Sequence, residues 1–175
     1  QGYSVLDRRL YMPVEWLTDA AYTERRRQCG IPAEITFKTK PALAQEMLAA
    51  VVKSQTLRCR WVVADEAFGG NPGFLDGVAG QGLWYCVEVP HSTRVWEARP
   101  ATHLPPQRGR GRRPPRERLV EGASEARTVL GVAAALPAEV WARQTIKEGS
   151  QGPMVAEFAA RRVVAVRDTL PGPDV

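Results

Sequence analysis

Apolar and polar positions alternate between two regimes along the first half of the chain. Tyr3 to Tyr11 reads as a strand, broken by Pro13. Trp16 to Arg27 is polar with scattered aromatics and predicts a loop with a short helix, and Cys29-Gly-Ile-Pro32 predicts a turn. Thr39 is placed to N-cap a helix that tolerates Pro41 in its first turn. Leu43, Met47, Leu48, Val51 and Val52 then recur at helical spacing, and this helix should end near Lys53. Arg60 to Ala64 is a buried-strand pattern that stops abruptly at Asp65-Glu66. Phe68-Gly-Gly-Asn-Pro-Gly73 predicts a loop. Phe74, Leu75 and Val78 predict a short helix ended by Gly80 and Gly82, and Leu83 to Val89 a strand ended by Pro90. Strand, helix, strand, helix, strand in this order predicts an α/β fold with parallel pairing.

After Pro90 the character changes. Arg99 to Pro115 is proline, glycine and arginine with almost no aliphatic residues, which predicts an exposed linker or basic arm. Glu125 to Leu136 predicts a helix, and Pro137 to Arg143 a further short helical piece. Gly149-Ser-Gln-Gly-Pro153 predicts a turn, and Arg162-Val-Val-Ala-Val-Arg167 a strand. No internal repeat is visible.

A length of 175 residues suits one domain, or one domain with an insertion. The formal net charge of +5 favours an anionic partner, and an arginine excess over lysine suits phosphate, whose oxygens match the guanidinium fork. A high-GC genome writing arginine for lysine accounts for the same excess. Cys29, Cys59 and Cys86 are odd in number and far apart, with no CxxC spacing. That argues against zinc and for free, mostly buried thiols in a reducing cytoplasm. No apolar run is long enough to span a membrane, and no signal-peptide pattern is read in these residues. The chain opens on Gln1 in a strand-like segment and closes on Leu170-Pro-Gly-Pro-Asp-Val175, so an internal fragment of a longer protein is expected.

Asp65 is the leading chemical candidate. A carboxylate at the C-terminal tip of a strand in an open α/β sheet lies where such sheets place ligands, and Mg²⁺ prefers hard oxygen donors. The bland alternative is that Asp65 caps the turn or helix that follows. Glu66 is a candidate supporting acid or a solvated neighbour. Arg108, Arg110, Arg112, Arg113, Arg116 and Arg118 form a basic run broken by one acid, Glu117. It reads either as a DNA phosphate contact weakened by salt or as a solubilising loop. His91 and His103 read as surface residues. Trp61 and Trp84 read as core or interface residues rather than stacking platforms. Gly69-Gly70 and Gly80-Gln-Gly82 do not match a phosphate-loop spacing.

Four stretches carry a resemblance: Asp7-Arg-Arg-Leu-Tyr-Met-Pro13, Phe37-Lys-Thr-Lys-Pro41, Trp61-Val-Val-Ala-Asp65-Glu-Ala-Phe-Gly69 and Gly149-Ser-Gln-Gly-Pro153. Similarity also runs through Val155 to Pro173. The chain resembles the DDE-type transposases of bacterial insertion sequences, specifically the IS701 group within the IS4-like set. The resemblance implies an RNase H-like catalytic core over residues 1–91. It implies an insertion over 92–175, with the arginine-rich linker at 99–118. It implies three acids that hold two Mg²⁺ (or Mn²⁺) ions, cut DNA at transposon ends and join it to target DNA. It also implies a possible homodimer in the assembled complex. The second acid falls on Asp65; the first would lie upstream and the glutamate beyond Val175. Phe68 stands where the family pattern has tyrosine. With one acid of three, the chain alone is expected not to cleave DNA. A DNA-binding module without chemistry, or a decayed remnant, is the alternative.

Overall fold

The computed structural model describes residues 3–55, 57–106 and 116–173. Backbone contacts divide the chain into two units, Gln1–Val89 and Pro90–Val175.

In the first unit, helices α1 (Val14–Thr18) and α2 (Thr23–Gln28) flank a short 3-10 turn, Ala20–Tyr22. Asp19 caps that turn by accepting from the Ala21 amide. Trp16 stacks on Tyr22 with centroids 5.1 Å apart, and the Arg25 guanidinium lies 5.6 Å over the Trp16 ring. Helix α3 (Lys40–Ser54) begins as its sequence predicts: Thr39 Oγ1 accepts from the Ala42 amide at 3.3 Å. Gln55 closes it in the left-handed region, at φ 53°.

Strand β1 (Trp61–Ala64) is followed by α4 (Glu66–Gly69), α5 (Pro72–Gly80) and β2 (Trp84–Val87). β1 and β2 pair in parallel, with Trp61 opposite Trp84 and Ala64 opposite Val87. Such pairing needs a crossover between the strands, and the two helices supply it. Phe74, Leu75 and Val78 of α5 form the core, against Ala44 and Leu48 of α3 and Val62, Ala64, Tyr85 and Val87 of the strands. Gln45 Nε2 donates to the Gly73 carbonyl at 2.7 Å and ties α3 to α5.

Four expectations are corrected here. Tyr3 to Tyr11 forms no strand. It is chain without regular structure, and Tyr3, Val5, Leu6 and Leu10 are exposed. Adjacent Val5-Leu6 followed by Asp7-Arg8-Arg9 breaks the alternation a half-buried strand needs, and only Met12 is buried. The Phe68–Gly73 loop is largely helical at both ends, because Asp65 and Asn71 each cap a helix start. The thiols are not mostly buried: Cys29 and Cys86 are exposed and Cys59 is partly so. Of the two roles expected for Trp61 and Trp84, core or interface, the core one is excluded. These residues are 60% and 58% exposed, beside Val63 at 78%, with ring centroids 6.1 Å apart. One face of the sheet is thus packed and the other bare, although parallel sheets are ordinarily covered on both faces.

The second unit holds an antiparallel sheet in the order β10-β9-β3-β6, from Leu170–Pro171, Val164–Arg167, Arg94–Trp96 and Arg127–Thr128. Val95 and Trp96 are buried with Val132 of α6 (Val129–Ala134), and Trp96 Nε1 donates to the Ser124 carbonyl at 2.9 Å. Glu97 pairs with Arg127 at 2.9 Å and Arg161 at 3.4 Å. Strands β4 (Thr102–His103) and β5 (Arg118–Leu119) pair antiparallel. Strands β7 (Ala142–Gly149) and β8 (Gly152–Phe158) form a hairpin around Ser150-Gln151.

Three more expectations shift. The Glu125–Leu136 helix starts only at Val129, because Arg127-Thr128 pairs with β3 and Thr128 then caps the helix. The helical piece expected through Arg143 stops at Val140 as a 3-10 turn, and β7 begins at Ala142. The linker expected over 99–118 contains β4 and the first residue of β5, which pair with each other.

Candidate active site

Asp65 follows directly on β1, where the strand ladder ends. Its backbone is extended and its Oδ1 accepts from the Ala67 amide at 3.1 Å, which starts α4. The expected cap is therefore present. It engages one carboxylate oxygen; among the described residues, Oδ2 has no protein partner, and the residue is exposed. Glu66, in the first turn of α4, is exposed as well.

Gly69 explains the end of the Asp65-Glu-Ala-Phe-Gly69 motif. It is buried, and a Cβ there would collide with the Glu88 carbonyl oxygen and lie 3.1 Å from Val87 Cγ2. Only a residue without a side chain lets α4 press against the end of β2. The Asp65 carboxylate is thereby held between a strand end and a helix start.

Beside it lies an open cavity of about 270 Å³, walled by Ala44, Leu48, Val62, Ala64, Phe68 and Phe74, with Asp65 as its acidic residue. Phe68 and Phe74 meet with ring centroids 5.1 Å apart. Phe68, where the resemblance leads one to expect tyrosine, is thus an apolar wall of the cavity.

The sequence reading did not single out Glu88. The parallel register sets it next to Asp65, since Ala64 pairs with Val87 and the Glu88 amide donates to the Ala64 carbonyl at 3.2 Å. The signal was present: two strand patterns that each end in an acid, once their pairing is known to be parallel and in that register. Among the described residues no three His, Cys, Asp or Glu side chains come together as a metal-binding group. Asp65 and Glu88 offer the oxygen donors that Mg²⁺ prefers, but two carboxylates are a partial ligand set.

Arg116 and Arg118 are exposed, the latter on β5 opposite His103. Arg108, Arg110, Arg112 and Arg113 lie outside the described residues. Glu117, the acid within the run, accepts from Thr102 Oγ1 at 2.8 Å. Charge is divided unevenly. Gln1–Val89 has ten Lys or Arg against ten Asp or Glu, and Pro90–Val175 has fourteen against nine, so the second unit carries the whole excess of +5. Several of its arginines are used internally: Arg94 donates to the Ala126 carbonyl, Arg99 to the Gly172 carbonyl, and Arg127 to Glu97 and the Gly131 carbonyl. Within the described residues no helix is long and apolar enough to cross a membrane.

The model of the DDE superfamily endonucleases matches residues 3–153. No curated protein matches the chain, and no solved structure matches it. The matched span includes β1, Asp65, Gly69, β2, the arginine run and the tip of the β7–β8 hairpin. Enzymes of this kind act on DNA and generally use divalent metal ions. The span covers most of the sequence, and the chain belongs to the DDE superfamily endonuclease family.

Proposed function

We propose that this chain is part of the catalytic region of an insertion-sequence transposase of the IS701 group, with Asp65 as the second of its three metal-binding acids. The carrying observation is the place of Asp65. It stands at the C-terminal tip of a parallel strand, fixed through one oxygen and open at the other, inside the family match. When bound, Mg²⁺ or Mn²⁺ acts as a hard Lewis acid that stabilises the attacking and leaving oxygens of phosphoryl transfer. Asp65 would hold it, and Glu88 is the nearest further carboxylate by register. The fold around the site is RNase H-like, residues 1–91 belong to the core, and residues 92–175 are an insertion. The arginines at 108, 110, 112, 113, 116 and 118 contact DNA phosphates. Two carboxylates are a partial set for holding metal ions, and on this reading the chain by itself is expected not to cut DNA.

The test is Asp65→Asn in the transposase that contains this segment. Asparagine retains the cap and removes the charge. DNA binding should persist while cutting and strand transfer fall to background. Undiminished strand transfer would remove Asp65 from the metal site. A second reading, a DNA-binding module without chemistry, is favoured by one observation: the positive excess lies entirely in the unit that does not carry Asp65.

A further inference from the structure

We infer that β7 is a self-pairing edge: it joins a second copy of this chain by antiparallel β7–β7 contact across a twofold axis. This goes beyond the catalytic reading and does not rest on it. Within the described residues β7 pairs with β8 alone, so its other edge carries unpaired backbone donors and acceptors. Every residue of β7 is exposed, as are five of the seven in β8. A two-stranded hairpin is marginal in water by itself, and a sheet of more strands is not. Joining two copies gives such a sheet, in the order β8-β7-β7-β8.

The charge pattern selects the partner. Arg143 and Lys147 balance Glu148 and Glu157, so the hairpin has no net charge to attract a polyanion. It does match itself. In a twofold contact residue i meets residue j while j meets i. The register that overlaps Ala142–Gly149 end to end sets Ala142 opposite Gly149, Arg143 opposite Glu148 and Gln144 opposite Lys147, each pair occurring twice. Opposite charges then face each other on both sides of the axis, and like charges nowhere do.

The bulge is what permits that register. Residues directly opposite in an antiparallel pair share a face of the sheet. In an unbroken strand Arg143 and Glu148, an odd number of positions apart, would project from opposite faces. Their partners on β8 show otherwise. Arg143 pairs with Glu157 and Glu148 with Pro153, an even number of positions apart and so on one face. Gln144 and Lys147 stand opposite Ala156 and Met154, together on the other face. The extra residue lies between Thr145 and Lys147, where the twofold axis falls. A bulge and a lysine ordinarily guard an edge against added strands. Here they disfavour a regular strand and leave a second copy of β7 matched end to end, so specificity comes partly from exclusion.

The test is sedimentation equilibrium of the full chain, without DNA, over a range of loading concentrations. The parent should show a reversible monomer–dimer equilibrium. Glu148→Arg sets arginine opposite Arg143 of the other copy and should weaken the dimer by roughly tenfold or more. Within its own hairpin Glu148 faces Pro153, so the reversal brings no like charges together there. Arg143→Glu sets glutamate opposite Glu148 of the other copy and should weaken the dimer to a similar extent. It is combined with Glu157→Arg, which keeps opposite charges facing within the hairpin. Circular dichroism of both variants should match the parent. Mixed in equal amounts, the two variants should recover the dimer, because every charged pair across the axis is then opposite again. A role confined to one hairpin would not respond to mixing. A parent that stays monomeric at every concentration would overturn the proposal, and so would a mixture that fails to associate. A dimer untouched by both variants but lost in Trp61→Ser with Trp84→Ser would also overturn it, by placing the contact on the bare face of the β1–β2 pair.

Discussion

Replacing Gly69 with alanine should unfold or severely loosen the first unit. The added Cβ would overlap the Glu88 carbonyl oxygen, lie 2.9 Å from its carbon and 3.1 Å from Val87 Cγ2. The nearest approach must open by more than an ångström, and both colliding groups of Glu88 are backbone in line with β2. No rotamer change relieves that. Either α4 lifts from the sheet end or β2 shifts against β1. Insertion of extra atoms into well-packed sites ordinarily costs about 1–3 kcal/mol, and a backbone collision belongs at or above the top of that range. The unit has a small core built on Phe74, Leu75 and Val78, so a loss of about 3 kcal/mol is a large share of the stability available to such a domain. Urea unfolding followed by tryptophan fluorescence measures it. Gly80→Ala is the control, because a Cβ there meets nothing within 4 Å. It should be neutral or stabilising by up to about 1 kcal/mol. A Gly69→Ala protein that unfolds at the parent's midpoint would refute the argument that this glycine holds the helix against the strand.

Asp65→Ala should cost about 1 kcal/mol through loss of the α4 cap, while Asp65→Asn should change stability by a few tenths, both read by chemical denaturation. Hydrogen bonds from Arg27 and then Gln28 hold the Glu24 carboxyl below the ordinary glutamate range. Because the folded value is depressed, the pair's contribution is present above the unfolded value and fades as pH falls through the folded one. Arg27→Ala should move the Glu24 titration, followed by NMR, back towards the ordinary range, and no movement would dismiss the pairing. The turn between β9 and β10 puts Asp168 at φ 47° and Thr169 at φ 71°, the latter strained for a β-branched residue. Thr169→Gly should therefore raise stability by roughly 1 kcal/mol, and a lower thermal midpoint would show that Thr169 makes a contact outweighing the strain.

What the sequence disclosed depended on how local the determining physics was. Helix α3 was legible because its cap, its first-turn proline and its apolar spacing lie within one stretch. Strands β1 and β2 were legible as short apolar runs with clear stops. Tyr3 to Tyr11 was misread because apolar content alone does not supply a partner strand, and β-propensity takes its meaning from context. The start of β7 was misread because Pro137-Ala-Glu is a good helix opening, yet the chain completes only one 3-10 turn before pairing with β8. Exposure of Trp61, Trp84 and Cys86 depends on which sheet face the helices cover, a tertiary choice that alternation leaves open. The neighbourhood of Asp65 and Glu88 likewise needed the strand register, which links positions more than twenty residues apart.

The capping reading of Asp65 is met by the structure, and the proposed metal-binding reading is compatible with it. A cap uses one oxygen of the carboxylate and fixes its torsions by tying the side chain to a helix start. A ligand for a hard cation needs an oxygen whose position is already fixed, since a freely rotating carboxylate must be ordered at the moment of binding. The same hydrogen bond to Ala67 that explains Asp65 without chemistry thus leaves its second oxygen fixed and available for the proposed metal ion. Gly69 extends the logic, because its close approach to Val87 and Glu88 seats α4 against the end of β2. The motif Asp65-Glu-Ala-Phe-Gly69 is then one device: an acid that starts a helix, an aromatic wall beside it, and a glycine that seats the helix against the neighbouring strand. Stability measurements report on the device as a whole. Only the charge-removing, cap-preserving change at Asp65 separates what the carboxylate holds in place from what it binds.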